Sequence, residues 1–238
     1  MRRFRYLDAL TTAFVVILLV SNLVAQKVIR ISLFSVGGHS LAFSTSGAML
    51  LFPVTYIFGD IFTEIYGYAA SRHAIWLGFF GTALLYAVSA IVIALPSDPE
   101  FHNQQAFVTV FGILPRILVA SLAAFWAGEF ANSYTMAKLK LMTKGRCLWT
   151  RTVGSTVVGQ AVDTTLVIFI TFAGTFSIHK MVQIIVTGYL FKVIYEVLAT
   201  PLTYLVINWL KRVEHVNTFD THTNFNPFRF AERRPENL

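Results

Sequence analysis

LFPVTYIFGDIFTEIYGY, Leu51 to Tyr68, is the stretch whose reading decides the fold. It is apolar enough to lie in a membrane, yet it carries Asp60 and Glu64. At about 3.6 residues per turn, their spacing of four predicts both carboxylates on one helical face, with Tyr56, Thr63 and Gly67 on or beside that stripe. A carboxylate near the middle of a span costs about 2.5–3.5 kcal/mol to insert, so it faces a bundle interior or a water-filled cavity. The rest of the chain has to supply what meets these acids.

Composition agrees with a bilayer setting. Of the 238 residues, 55% are hydrophobic and 13% charged, and the mean hydropathy is +0.63, outside the range of a soluble domain of this length. The net charge of +7 does not point to nucleic acid. The basic residues sit in short segments between apolar runs, with no basic face carrying interleaved aromatics. Cys147 has no Cys or His at ligand spacing, so neither a disulfide nor a metal site is expected. The first apolar run has a basic start but continues for about the length of a full span, with no small-residue cleavage site, and reads as a helix rather than a cleavable leader.

Six runs reach the roughly 20 residues needed to cross the hydrocarbon core: Leu7–Gln26, Thr45–Tyr68, Ala74–Leu95, Phe107–Ala131, Thr152–Phe176 and Met181–Trp209. The expected fold is an all-α membrane protein, a six-helix bundle with residues 1–212 as transport domain and 213–238 as a cytoplasmic tail, partly disordered or packed under the bundle. Val28 to Ser44 alternates apolar and polar residues around Gly37-Gly38, the pattern of a short outer β-hairpin between helices one and two. It reads equally as a cover for a cavity mouth and as an ordered loop without a gating role.

Orientation follows from Lys and Arg. With the N-terminus inside, fourteen of the 19 basic residues fall in cytoplasmic segments. These are Arg2, Arg3 and Arg5; Arg72; Lys138, Lys140, Lys144, Arg146 and Arg151; and Lys211, Arg212, Arg229, Arg233 and Arg234. Outer segments hold Lys27, Arg30 and Lys180, while Arg116 and Lys192 fall within spans. Both termini are predicted cytoplasmic.

Apart from Asp8 at the very start of the first run, five of the 12 acids fall inside these runs: Asp60, Glu64, Glu129, Asp163 and Glu196. Span five carries a polar, small-residue stripe of Ser155, Thr156, Gly159, Gln160, Asp163 and Thr164, in which Ser155-x-x-x-Gly159 permits close helix approach. Gln160 and Asp163 add an amide and a carboxylate on one face. Span six carries Lys192 and Glu196, readable as an intrahelical pair or as Lys192 bridging to Asp163, and Pro201, which removes a backbone hydrogen bond. Glu129 and Asn132 end span four and read as structural. Asn22 lies near the outer end of span one, and Tyr56 and Tyr195 are placed to stack on a ring, although aromatics at span ends are commonly interfacial anchors.

Carboxylates and amides among aromatics suit a small planar solute with clustered N–H donors. A guanine-like ring offers an N–H and an amino group to one carboxylate in bidentate fashion, and a carbonyl to Gln160 or Lys192. On this reading Asp163, deep in span five, accepts the ring donors; the structural alternative is an Asp163–Lys192 bridge between spans.

The runs FPVTYIFGDIFTEIYGY, GEFANSYTMAKLKL, GSTVVGQAVDT, KVIYEVLATPLTY and TNFNPF together resemble the queuosine-precursor transporter family, also called the VUT family of inner-membrane proteins. The resemblance runs from Asn22 to about Phe228. It implies uptake of 7-deazaguanine precursors, in cyano or aminomethyl form, from outside to cytoplasm, and makes Asp60, Glu64, Gln160, Asp163, Lys192 and Glu196 the functional set. No cofactor, metal or nucleic-acid partner is expected; the partners are the small-molecule substrate and the lipid bilayer, with monomer and homodimer both open. An intramembrane aspartyl protease using Asp60 and Asp163 would need G-x-G-D, and Asp60 follows Ile57-Phe58-Gly59 instead. H-E-x-x-H, G-x-S-x-G and the P-loop pattern are also absent, so no enzymatic activity is expected. The closer rival is a substrate-binding subunit of a multi-component vitamin importer.

Overall fold

A computed structural model describes residues 4–25, 27–36, 39–112, 115–221 and 223–229. Helix α1, Leu7–Val24, leads into strands β1, Val28–Val36, and β2, His39–Ser46. The strands pair antiparallel from Val28 opposite Ser46 to Val36 opposite His39, with a register irregularity between Ser32 and Phe34. Gly37-Gly38, expected at the turn, and Gln26 lie outside the described residues. A short 3-10 turn, Gly47–Leu50, precedes α2, Phe52–Ile61, which continues as a π-helical turn over Phe62–Tyr66. The remaining helices are α3, Tyr68–Ala94; α4, Gln104–Phe111; α5, Pro115–Met142; α6, Leu148–Phe172; and α7, Ile178–Glu214.

Among the described residues, five helical stretches are long and apolar enough to cross a membrane: α1, α3, α4 with α5, α6 and α7. The second expected span is shorter than its apolar run. Thr45 and Ser46 belong to β2, helix begins at Phe52, and Gly67 at φ +86° ends it. Fifteen helical residues rise only about 22 Å, short of a roughly 30 Å core. Nor does a loop follow: α3 starts at once at Tyr68, six residues before the expected Ala74, so Arg72 lies within a helix and is buried. The fourth run divides into α4 and α5, because Gly112 ends one helix and Pro115 opens the next. Pro at the first helical position loses no intrahelical bond. Helix α5 then continues to Met142, eleven residues past the expected end at Ala131.

Side chains sort as a bilayer requires. Phe80, Leu84, Val88 and Ile91 of α3, and Leu190, Ile194, Leu198, Leu202 and Leu205 of α7, are exposed. Their steps of three and four make lipid-facing stripes. The core is built from Phe14 of α1, Ile57, Ile61, Phe62 and Ile65 of α2 and its π turn, Met136 of α5, and Ile207 and Leu210 of α7. Phe14 meets Phe62 edge-on with ring centroids 5.7 Å apart, an arrangement favoured by the ring quadrupoles.

The segment after α7 packs against the bundle. The Asp220 carboxylate accepts the Tyr68 backbone N–H at 3.1 Å, capping α3 from 152 residues away. Anionic groups favour helix N-termini, where backbone N–H groups lack intrahelical partners. Arg72 Nη1 donates to the carbonyls of Asn224 and Asn226, both at 2.9 Å, and Trp76 Nε1 to that of Pro227 at 2.8 Å. At the same end, the Glu214 carboxylate accepts the backbone N–H groups of Arg5 and Tyr6 at 3.1 and 2.7 Å. The N-terminal segment and the end of α7 therefore meet at one end of the bundle.

Candidate functional site

Three glycines bring α2, α5 and α6 close together. A Cβ at Gly159 of α6 would lie 2.7 Å from Asn132 Cβ and 3.0 Å from the Gly128 carbonyl of α5. A Cβ at Gly128 would lie 2.7 Å from Asp163 Cβ. At Gly59 of α2 it would lie 3.1 Å from Glu129 Oε2 and 3.6 Å from Asn132 Nδ2. Small residues allow helix backbones to approach in this way, and what they bring together here is polar.

Asp60, Glu129, Asn132, Gln160 and Glu196 are each at most 5% exposed. Glu129 lies within electrostatic range of Asp163 and Glu196, Asp60 beside Asn132, Glu129 and Glu196, and Tyr56 beside Gln160, Asp163, Glu129 and Glu196. Glu129 Oε2 and Glu196 Oε1 have no hydrogen-bond partner in the protein, and the Asp60 oxygens and the amides of Asn132 and Gln160 make no hydrogen bond of good geometry, although Asn132 adjoins the Asp60 carboxylate and Gln160 the Tyr56 hydroxyl. Leaving a buried polar group unsatisfied costs about 1–3 kcal/mol. A cluster of such atoms is costly as packing and well disposed to a ligand that satisfies them.

Asp163 lies at the margin of this group, and Lys192 Nζ donates to its Oδ2 at 2.6 Å, joining α6 to α7. The two side chains are 18% and 23% exposed. Of the two readings of Lys192, the bridge to Asp163 is the one with direct geometry. Thr200 Oγ1 donates to the Glu196 carbonyl at 2.9 Å, one residue before Pro201.

Glu64 departs from the expected arrangement. It sits in the π turn, close enough to Asp60 to act on it electrostatically, and is fully buried among cations. Arg151 Nε and Nη2 donate to its two oxygens at 3.1 and 2.8 Å, and Lys211 Nζ to Oε1 at 2.5 Å. Lys140 Nζ lies 3.7 Å from Oε1 and donates to the Glu64 backbone carbonyl. The π turn that carries Glu64 hydrogen-bonds i to i+5 and ends at Gly67. Arg151, Lys140 and Lys211, counted in the sequence as cytoplasmic charge, become the partners of one buried acid.

Asn22 on α1 and Tyr195 on α7 are half-buried, and neither hydrogen-bonds a member of the cluster. Glu129 and Asn132, expected as structural residues at a wet helix end, instead occupy the middle of α5, fourteen and seventeen residues past Pro115. The signal was in the sequence: Gly112 and Pro115 move the helix start eight residues beyond Phe107, and the centre with it. No group of three or more His, Cys, Asp or Glu side chains at metal-binding spacing occurs among the described residues.

A family described as "Putative vitamin uptake transporter" matches residues 46–206, more than half of the chain and all of the cluster. A "Probable queuosine precursor transporter" of Bacillus subtilis is 31% identical over 147 residues, which cover 61% of this chain and 64% of that relative, a little under two thirds of its length. A protein of the same name from Haemophilus influenzae is 24% identical over 178 residues, 73% of each chain. No solved structure matches. With its five apolar helical stretches and this match across its central two thirds, the chain belongs to the VUT family, described as "Putative vitamin uptake transporter".

Proposed function

We propose that the protein imports 7-deazaguanine precursors of queuosine, in cyano or aminomethyl form, across the inner membrane, with residues 1–212 as the transport domain and the tail after it in the cytoplasm. The observation that carries this reading is the buried set of carboxylate and amide atoms of Asp60, Glu129, Asn132, Gln160 and Glu196 without hydrogen bonds of good geometry. A guanine-like ring offers both the N–H donors and the carbonyl acceptor that such a set needs. The names of the relatives point to the same solutes. Tyr56 stands beside Gln160 as the aromatic against which the ring stacks. The Asp163–Lys192 bridge holds α6 to α7 at the half-exposed margin.

Import toward the basic end is supported by the gathering of Arg72, Lys140, Arg151 and Lys211 with the tail. That end faces the cytoplasm by the positive-inside rule. Purified protein in liposomes tests the proposal. It should accumulate labelled 7-cyano-7-deazaguanine unaided, and uptake that needs an added ATPase and coupling subunit would favour the multi-component importer. The same vesicles with and without an imposed pH gradient separate proton-coupled from facilitated entry.

A further inference from the structure

The relation of Glu129 and Asn132 to Gly59 goes beyond a general polar site. The two residues are three apart in α5, hence on one face, and both meet α2 where Gly59 has only a hydrogen. Glu129 Oε2 is buried and unpartnered, and both Asn132 amide atoms are buried without a hydrogen bond of good geometry. Glu64 is engaged by three cations and Asp163 by Lys192, whereas Asp60 and Glu196 also hold buried oxygens without such a bond but do not face Gly59 from α5. Asn132 also abuts Gly159, which fixes its stem against α6 and leaves the amide to face Asp60 and α2.

We infer that Glu129 and Asn132 form the edge that selects the substrate: Glu129 accepts two adjacent N–H donors of a planar ring, and the Asn132 amide donates to the neighbouring ring carbonyl. The ligand class is a cyclic guanidine fused to a lactam, and the edge discriminates against rings that lack the exocyclic amino group. This rests on the proposed function, because it presumes that the cluster holds the transported ring. A carboxylate matches two parallel donors, whereas an amide presents one acceptor and one donor. Gly59 makes room for the carboxylate against α2, so a side chain there would displace it.

The test uses two probes in liposomes, 7-cyano-7-deazaguanine and the same ring without its 2-amino group. The native protein should prefer the amino-bearing probe by about tenfold or more. Glu129→Gln should reduce that preference to about threefold or less, because the new amide donor opposes the amino group. Gly59→Ala is the second variant. Alanine favours a helix over glycine, while the added methyl crowds Glu129 Oε2, so uptake of the amino-bearing probe should fall about tenfold with the thermal midpoint retained. A native protein that transports the ring without preference, a folded Glu129→Gln with the preference intact, or a Gly59→Ala with native uptake would each overturn the inference and leave the proposed function standing. Failure of the native protein to take up either probe would overturn both.

Discussion

Arg151 and Glu64 form a two-bonded pair in the bundle interior, Nε to Oε2 at 3.1 Å and Nη2 to Oε1 at 2.8 Å, each residue at most 1% exposed. The fork of a guanidinium matches a carboxylate in this way, and removing one partner of a buried pair strands the other charge. Glu64→Gln should therefore destabilise the protein by about 3–5 kcal/mol, visible as an earlier thermal transition in detergent. Glu64→Gln combined with Arg151→Met should recover part of the loss. Equal transitions for native protein and the single variant would count against a structural role for the pair.

Asp163 and Lys192 allow a sharper separation of roles. If their 2.6 Å bridge serves to hold α6 to α7, Asp163→Asn and Lys192→Met should each lower uptake, and the double variant should lose less than the sum of the two. If Asp163 instead accepts the substrate's donors, the double variant should transport no better than Asp163→Asn. Initial uptake rates across the four proteins decide this.

The crossing of α5 and α6 has no room for a side chain at its centre. Gly128→Ala would put a methyl carbon 2.7 Å from Asp163 Cβ and 3.2 Å from the Gly159 carbonyl. The helices must then separate, at a cost of about 1–3 kcal/mol. Substrate uptake should fall alongside the thermal midpoint, since the same crossing sets the spacing of Asn132 and Gln160.

The tail is expected to be part of the fold. Asp220→Ala removes the acceptor for the first N–H of α3 and the partner of Thr223 Oγ1, a change of about 1–2 kcal/mol by analogy with other helix caps. Limited proteolysis should then cut between Glu214 and Phe228 in the variant faster than in the native chain. Identical digestion would show that the cap contributes little.

Topology is tested by reporters fused after Glu100 and at the C-terminus, which should mark opposite compartments. Agreement between them would defeat the arrangement in which basic segments and both chain ends share the cytoplasmic side.

The apolar helices were legible in the sequence because their length and composition are what a bilayer demands. Gly159, in the small-residue stripe of α6, sits where that stripe predicts close approach. Two features were not legible. The i, i+4 spacing of Asp60 and Glu64 assumes an unbroken α-helix, and the π turn over Phe62–Tyr66 breaks it. Glu129 and Asn132 read as end residues because hydropathy marks where an apolar run ends, not where the helix ends: α5 carries on through Lys138 and Lys140 to Met142, with Lys140 buried by contacts from the π turn and the tail. Those contacts join segments far apart in the chain, which a local reading cannot supply.

The cap on α3 also sets an order of events during synthesis. Tyr68 leaves the ribosome 152 residues ahead of Asp220, a delay of roughly 8–30 s at about 5–20 residues per second. Throughout that interval Arg72 and Trp76 lack the tail carbonyls that later receive their N–H groups. The second and third helices thus enter the membrane in a provisional form and are completed by a piece of chain made 152 residues later.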